Sequence, residues 1–208
     1  VPGCDVSAGQ GDVDWAAAKA DGCQFCYIKA TEGTYYINAY FTQQYDGSYD
    51  AGLIRGAYHF ARPDTTTGAV QADYFLAHGG GWSDDGKTLP GALDLEYNPY
   101  GSNECYGLTA SQMVAWIHSF VNEYHAKTTR YPVIYTTTDW WTTCTGNSNA
   151  FASTCPLWIA AWNDVGPGTL PAGWSFYTFW QWSTSGSLPG DQDVFNGPLS
   201  RLKVLASG

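Results

Sequence analysis

Short apolar runs bracketed by Gly and Pro alternate with stretches of helical period through the first two thirds of the chain. Gly3-Cys4-Asp5-Val6-Ser7 reads as a first strand, and Asp12 or Asp14 stands where it can cap an Ala-rich helix running to Gly22. Phe25 to Ala30 reads as a second strand, followed by a helix from about Asn38 to Gly52. Ile54 to Phe60 reads as a third, followed by a helix from about Gly68 to His78. Between the turn residues Pro90-Gly91 and Asn98-Pro99, Ala92-Leu93-Asp94-Leu95-Glu96 forms a short fourth strand. Thr109-x-x-Gln112 is then a capping box, and Met113, Ile117, Val121 and Tyr124 recur at helical spacing behind it. Val133 to Tyr135 is a fifth strand, with a short helical turn near Asp139 to Trp141.

Beyond that point the helical period stops. Leu157 to Trp162, Phe176 to Trp182 and Gln192 to Phe195 are strand-like, and Pro and Gly fill the gaps between them. Only Pro198 to Ala206 looks helical again. Strands alternating with helices predict a parallel sheet. Eight strands with five crossover helices predict an α/β fold, a shortened TIM-like barrel near the lower length limit of roughly 200 residues. With 208 residues and no internal repeat or linker, residues 1–208 are expected to form a single domain.

Charge removes several functions from consideration. Nine Lys and Arg against nineteen acids leave a net charge of −10. No cluster of cations stands out along the sequence, so no nucleic-acid partner is expected. No apolar run approaches the roughly 18 residues that cross a bilayer, so no membrane partner is expected either. Val1-Pro2-Gly3, without an initiator Met or signal-like segment, reads as a processed N-terminus. The six cysteines form an even set, which fits a secreted, extracellular protein with up to three disulfides. Cys144 and Cys155 flank a polar loop that both are expected to staple. Cys23-x-x-Cys26 has no second CxxC or spaced His pair beside it, so it reads as structural, with no metal or cofactor implied. The chain is expected to act as a monomer.

The chemistry is carried by Asp94 and Glu96. Side chains at i and i+2 of a strand share a face and stand roughly 6.6 Å apart along it. Carboxylates that close oppose each other's ionisation, so one can keep a proton while the other stays charged. That is the equipment for cutting a glycosidic bond. The plainer reading of the same alternation buries Leu93 and Leu95 and leaves the acids in water. In a barrel, however, reactive groups gather at the C-terminal strand ends. Reading each strand to its end collects Asp5, Lys29 with Glu32, Tyr58, the Asp94/Glu96 pair, Tyr135, Trp162, Gln181, and finally Asp191 and Asp193. Aromatics make up 16% of the chain and cluster at these polar segment ends, where they suit stacking on sugar rings.

Six segments in this order resemble the glycoside hydrolase family 25 lysozymes, the Chalaropsis-type N,O-diacetylmuramidases. They are Asp5-Val6-Ser7, Tyr27 to Gly33, Gly56 to Arg62, Asp94-Leu95-Glu96, Leu157 to Ala160 and Trp180 to Ser183. The resemblance runs from about Gly3 to Phe195. It implies a (β/α)5(β)3 barrel and cleavage of the β-1,4 bond from N-acetylmuramic acid to N-acetylglucosamine in bacterial peptidoglycan. It makes Glu96 the proton donor and Asp94 the partner carboxylate, orienting the substrate's acetamide or stabilising the developing positive charge. Asp5 and a last-strand acid complete a group of four. The family's usual Asp-x-Asn is Asp191-Gln192-Asp193 here; alignment favours Asp191, and Asp193 competes with it. Lys29, Tyr58, Tyr135, Trp162 and Gln181 match positions of the family's sugar-binding groove.

Plain roles stand beside these. His59 falls on the strand face opposite Tyr58 and Phe60 and reads as a hydrogen-bonded structural residue, while Trp140 and Trp141 suit packing as well as sugar binding. The strand spacing lies between the separations of retaining and inverting glycosidases and does not choose between them. Paired acids and aromatics serve hydrolysis of another N-acetylglucosamine polymer equally well, and an inactive sugar-binding barrel is the reading from outside enzymology. An acidic protein acting on an acidic wall is expected to work best in mildly acidic conditions.

Overall fold

The computed structural model describes all residues from Val1 to Gly208. Five strand–helix units come first. They are β1 (Pro2–Val6) with α1 (Trp15–Ala20), β2 (Phe25–Glu32) with α2 (Phe41–Asp50), and β4 (Ile54–Phe60) with α3 (Gly68–Ala77). The other two are β5 (Ala92–Asp94) with α4 (Ala110–Thr128), and β6 (Val133–Thr136) with α5 (Thr138–Thr145). A two-residue strand, β3 (Tyr36–Ile37), folds back on the end of β2. Then follow β7 (Leu157–Ala160), β8 (Phe179–Ser183), β9 (Asp191–Phe195) and α6 (Leu199–Ser207). With β3 set aside, eight strands close on themselves, because β1 pairs with both β2 and β9. This is the expected (β/α)5(β)3 barrel.

Two expectations need correction. The sheet is not wholly parallel: β9 runs antiparallel to both β8 and β1. Only residues 184–190 connect β8 to β9. A parallel return needs a crossover of a dozen or more residues, so this short link folds as a hairpin. The cysteines form one disulfide, Cys105–Cys144, within the expected limit of three, and Cys155 is not part of it. Cys4, Cys23, Cys26 and Cys155 are buried free thiols. Cys144 therefore ties α5 to the segment before α4, and Cys155 staples nothing.

Local sequence explains the elements. Asp14, rather than Asp12, caps α1 by accepting from Ala17 N–H at 3.0 Å. Thr109 and Gln112 form the expected capping box on α4, whose Met113, Trp116, Ile117, Phe120, Val121 and Tyr124 make one buried stripe. That stripe packs with Phe75 and the outward-facing Leu93 and Ile134 in the main core between barrel and helices. Gly68, the first residue of α3, allows α3 and α4 to touch: a Cβ there would meet Trp116 O at 2.3 Å. Helix α5 is longer than a turn because Thr137 caps it, and Trp140 and Trp141 are core residues with no exposure. The barrel interior is filled by Phe25, Tyr27, Val133, Trp158, Phe179 and Phe195, and α6 closes its lower end with Leu202 and Ala206.

Candidate active site

Above that aromatic filling the barrel opens into a small cavity of about 60 Å³. Asp5, Asp94, Glu96 and Asp191 line it, together with Tyr58, Tyr135, Trp158 and Gln181. Strand pairing puts them there. Asp94 ends β5, opposite Tyr135 of β6, and Asp5 of β1 lies opposite Asp191 of β9. Because β9 is antiparallel, Asp191 reaches the mouth from the start of its strand, where a parallel strand would have offered its end. Glu96 lies just beyond β5, where Leu95 N–H still donates to Tyr135 O at 2.9 Å.

The acids do not meet water freely. Asp94 is 6% exposed and Asp5 also 6%. Burial, the charge of Glu96 and a hydrogen bond shared with it lift Asp94 well above the ordinary carboxylate range. Burial lifts Glu96 too, and the bond from Asp94 pulls it partly back. The pair therefore holds one proton between two carboxyls, resting on the Asp94 side. Asp94 Oδ1 is buried and has no protein hydrogen-bond partner.

A second acid group faces the first. Gln181 Nε2 donates to Asp5 Oδ2 at 2.9 Å and to Asp191 Oδ2 at 3.1 Å. Asp5 is raised by burial and partly restored by bonds from Asp193, Gln181 and Asp191. Asp191 is pushed up to about 7 by partial burial and then by the charge of Asp5. Burial and the same charge lift Asp193 well above its usual value. Asp5 thus carries the negative charge, with protonated neighbours as donors. Asp193 sits beneath the cavity, 1% exposed and accepting from Trp158 Nε1 at 2.8 Å. Of the two last-strand acids, only Asp191 faces the opening.

The remaining expected residues fall in distinct places. Gln181 Oε1 accepts from Tyr135 Oη at 2.7 Å and from Trp162 Nε1 at 3.0 Å. Trp162 is 66% exposed, an aromatic face at the rim open to a ligand. Tyr58 lines the cavity, and burial, then Asp5, keep its hydroxyl protonated. Lys29 does not line the cavity; its Nζ pairs with Glu32 Oε1 at 2.8 Å. His59 is structural as expected, between Thr31 at 2.7 Å and Gln71 at 2.9 Å, with burial holding it down to about 4.

Two features were missed. Trp158 forms the cavity floor, stacked on Tyr27 at 4.8 Å with Tyr135 edge-on at 4.8 Å. Its signal was parity, since Trp158 and Trp162 share one face of an extended run. The other is a polar cluster around Glu32, whose Oε2 accepts from both Tyr35 and Tyr100 hydroxyls. Arg62 lies 4.4 Å over the Tyr100 ring and donates to Tyr35 Oη at 2.8 Å. No strand reading brings Tyr100 there, because it comes from the loop beyond β5.

The family described as Glycosyl hydrolases family 25 matches residues 4–191. An N,O-diacetylmuramidase of Chalaropsis sp is 53% identical over 100% of both chains. Lysozyme M1 of Streptomyces globisporus is 50% identical over 100% of this chain and 71% of its own length. Among solved structures, a family GH25 lysozyme from Aspergillus fumigatus has a TM-score of 0.98 at 57% identity, covering 100% of this chain and 99% of that one. A muramidase from Acremonium alcalophilum has a TM-score of 0.97 at 58% identity with the same coverage. On this evidence the chain belongs to glycosyl hydrolases family 25.

Proposed function

We propose that the protein is a secreted peptidoglycan lysozyme acting through a single barrel domain. It cleaves the β-1,4 bond from N-acetylmuramic acid to N-acetylglucosamine. The observation that carries the site reading is the placement of Asp94 and Glu96 side by side in the lining of a buried acid cavity. Glu96 is the more exposed of the two, so it hands the proton to the departing glycosidic oxygen. As that proton leaves the pair, Asp94 is left ionised. It can then accept from the acetamide N–H of the substrate while the acetamide oxygen closes on the sugar's anomeric carbon. Water completes the cycle by attacking that carbon, which breaks its bond to the acetamide oxygen and restores the acetamide, and by returning a proton to Glu96. Asp5 holds negative charge across the cavity from the pair, where positive charge develops, and Asp191 supports it as a neutral neighbour. The cavity is too small to enclose a disaccharide, so the glycan lies across the mouth, against Tyr58, Tyr135 and Trp162.

Mass spectrometry of fragments released from purified peptidoglycan tests this. New muramic acid reducing ends are expected, and glucosamine ends would overturn the bond assignment and favour another N-acetylglucosamine polymer. Glu96→Gln is expected to lose about 10²–10⁴-fold in kcat. A variant as active as wild type would overturn the donor role.

A further inference from the structure

A cavity of about 620 Å³ lies at the other end of the barrel, between α6 and the segments that lead into β2, β4 and β5. Its lining carries Lys19, Lys87 and Lys203, beside Gln24, Ile54 and Leu199, and no carboxylate. In a chain with nineteen acids and nine Lys and Arg, that is a marked segregation. Charge pairing sharpens it. The ion pairs of the protein join Lys29 to Glu32, Arg62 to Asp64, and Lys127 to Asp73 and Glu123. Lys19, Lys87 and Lys203 take part in none of them. Asp85, the nearest acid in sequence to Lys87, spends its carboxylate on Lys87 N–H and Thr88 Oγ1, both at 2.9 Å.

The lysines are also short of neutral partners. Lys19 Nζ donates to Gly52 O at 3.3 Å, and Lys87 Nζ to Tyr49 O at 2.7 Å. An ammonium has three donors, so each keeps two, and Lys203 keeps all three. Lys87 is fixed further by lying 3.8 Å over the Tyr49 ring. Several unpaired ammonium groups around one hollow repel each other and cost stability unless an anion joins them. The catalytic mouth has the opposite sign, so the barrel is electrically polar from end to end.

We propose that this lower cavity is a binding site for an anionic polyol-phosphate chain, the class of polymer interleaved with glycan in acidic bacterial walls. It would offset the repulsion that a net charge of −10 meets at such a wall. Successive phosphates bridge the lysines while the acid mouth stays free for the glycan. The site deepens the lysozyme reading and rests on it for the choice of polymer, but binding there needs no catalysis.

The test is calorimetric titration of the full chain with an oligomeric glycerol phosphate and, separately, with inorganic phosphate. The oligomer is expected to bind more tightly than phosphate. Release of three counterions would weaken it about twentyfold between about 50 and 200 mM salt. K19Q/K87Q/K203Q is expected to abolish binding. Lys203→Gln alone, which breaks no internal bond, should weaken it severalfold with an unchanged circular dichroism spectrum. Glu96→Gln should bind the oligomer like wild type, which separates this site from the catalytic reading. On walls stripped of phosphate polymers the triple variant should match wild type, and on intact walls its KM should be higher. No binding, equal affinity for phosphate and oligomer, or unchanged binding in the triple variant would each overturn the proposal.

Discussion

Asp5 and Asp191, nearly the whole chain apart, face each other as direct cross-strand partners on β1 and β9 and share the amide of Gln181. Their closeness has a thermodynamic consequence. Asp191 titrates near 7 in the folded protein and near the ordinary 3.9 when unfolded. A carboxyl raised in this way favours the fold below its unfolded value, and that benefit is lost as pH rises through its folded value. His59, lowered to about 4 by burial, pulls the other way in much of the same window. Comparison with Asp191→Asn cancels it. The melting temperature of Asp191→Asn minus that of wild type should therefore rise from pH 4 to pH 8. Water screens a half-exposed carboxyl, so about 1–2 kcal/mol is expected, roughly 4 °C. A difference constant across this range would show that Asp5 and Asp191 do not share charge.

Activity should follow the other pair. The Asp94–Glu96 couple loses its proton at a higher pH than either acid would alone, because the second ionisation places two charges side by side. kcat/KM is expected to peak below neutrality and fall on the alkaline side as that proton leaves. In Asp94→Asn the like charge is gone, so the alkaline limb should move to lower pH while kcat falls. A limb that stays in place would assign the proton to some other group.

Gly190 tests how tightly the second acid group is held. It has φ +64°, and a Cβ added there would stand 2.1 Å from Asp5 O, a backbone atom that cannot swing aside. Gly190→Ala should displace Asp191 from Asp5 and Gln181, lowering kcat at least about tenfold, with a melting loss of about 1–3 kcal/mol. Wild-type kinetics would mean that the Asp5–Asp191 alignment is dispensable.

Much of this was legible from residue order alone. Period and turn residues placed all eight barrel strands and α1 to α4, and the spacing of Asp94 and Glu96 put both acids in one cavity. Two things depended on departures from regularity. In an unbroken strand Lys29 and Glu32, three residues apart, would point to opposite faces. A bulge between Lys29 and Thr31 turns Glu32 to the same side, so Lys29, expected at the sugar groove, is paired with Glu32. Likewise the hairpin before β9, and not the strand pattern, brings Asp191 to the mouth. Register and connection direction are set by loop length and backbone irregularity, which hydrophobic alternation does not record.

Glu32 is accordingly expected to act as a positioning residue, and the role can be measured. Burial alone would raise it, but bonds from Lys29, Tyr100 and Tyr35 outweigh that and hold the carboxyl below its ordinary value. Glu32→Gln leaves Lys29 without its counter-charge and loosens Tyr100 on the loop beyond β5. Stability is expected to fall by about 3 kcal/mol. KM should rise severalfold with kcat within about twofold, since the proposed mechanism gives the chemistry to Glu96. A fall in kcat with KM unchanged would place Glu32 in the bond-breaking step instead.

Thiol counting tests the cysteine arrangement. Cys4 and Cys26 are register partners on β1 and β2, with sulfurs 2.9 Å apart, and Cys23 lies 3.6 Å from Cys4. Burial pushes Cys26 and Cys155 up to about 12, so neither offers a thiolate near neutral pH. The native protein should react negligibly with an aromatic disulfide reagent at pH 8. In denaturant without reductant it should release the four free thiols, and six after reduction. Reducing Cys105–Cys144, which spans 39 residues, should cost about 4 kcal/mol by the loop-entropy relation. Two thiols in denaturant would mean that Cys4 has paired with Cys23 or Cys26. In that case the outer face of β1 and β2 would be held by a covalent bond, in place of three packed sulfurs.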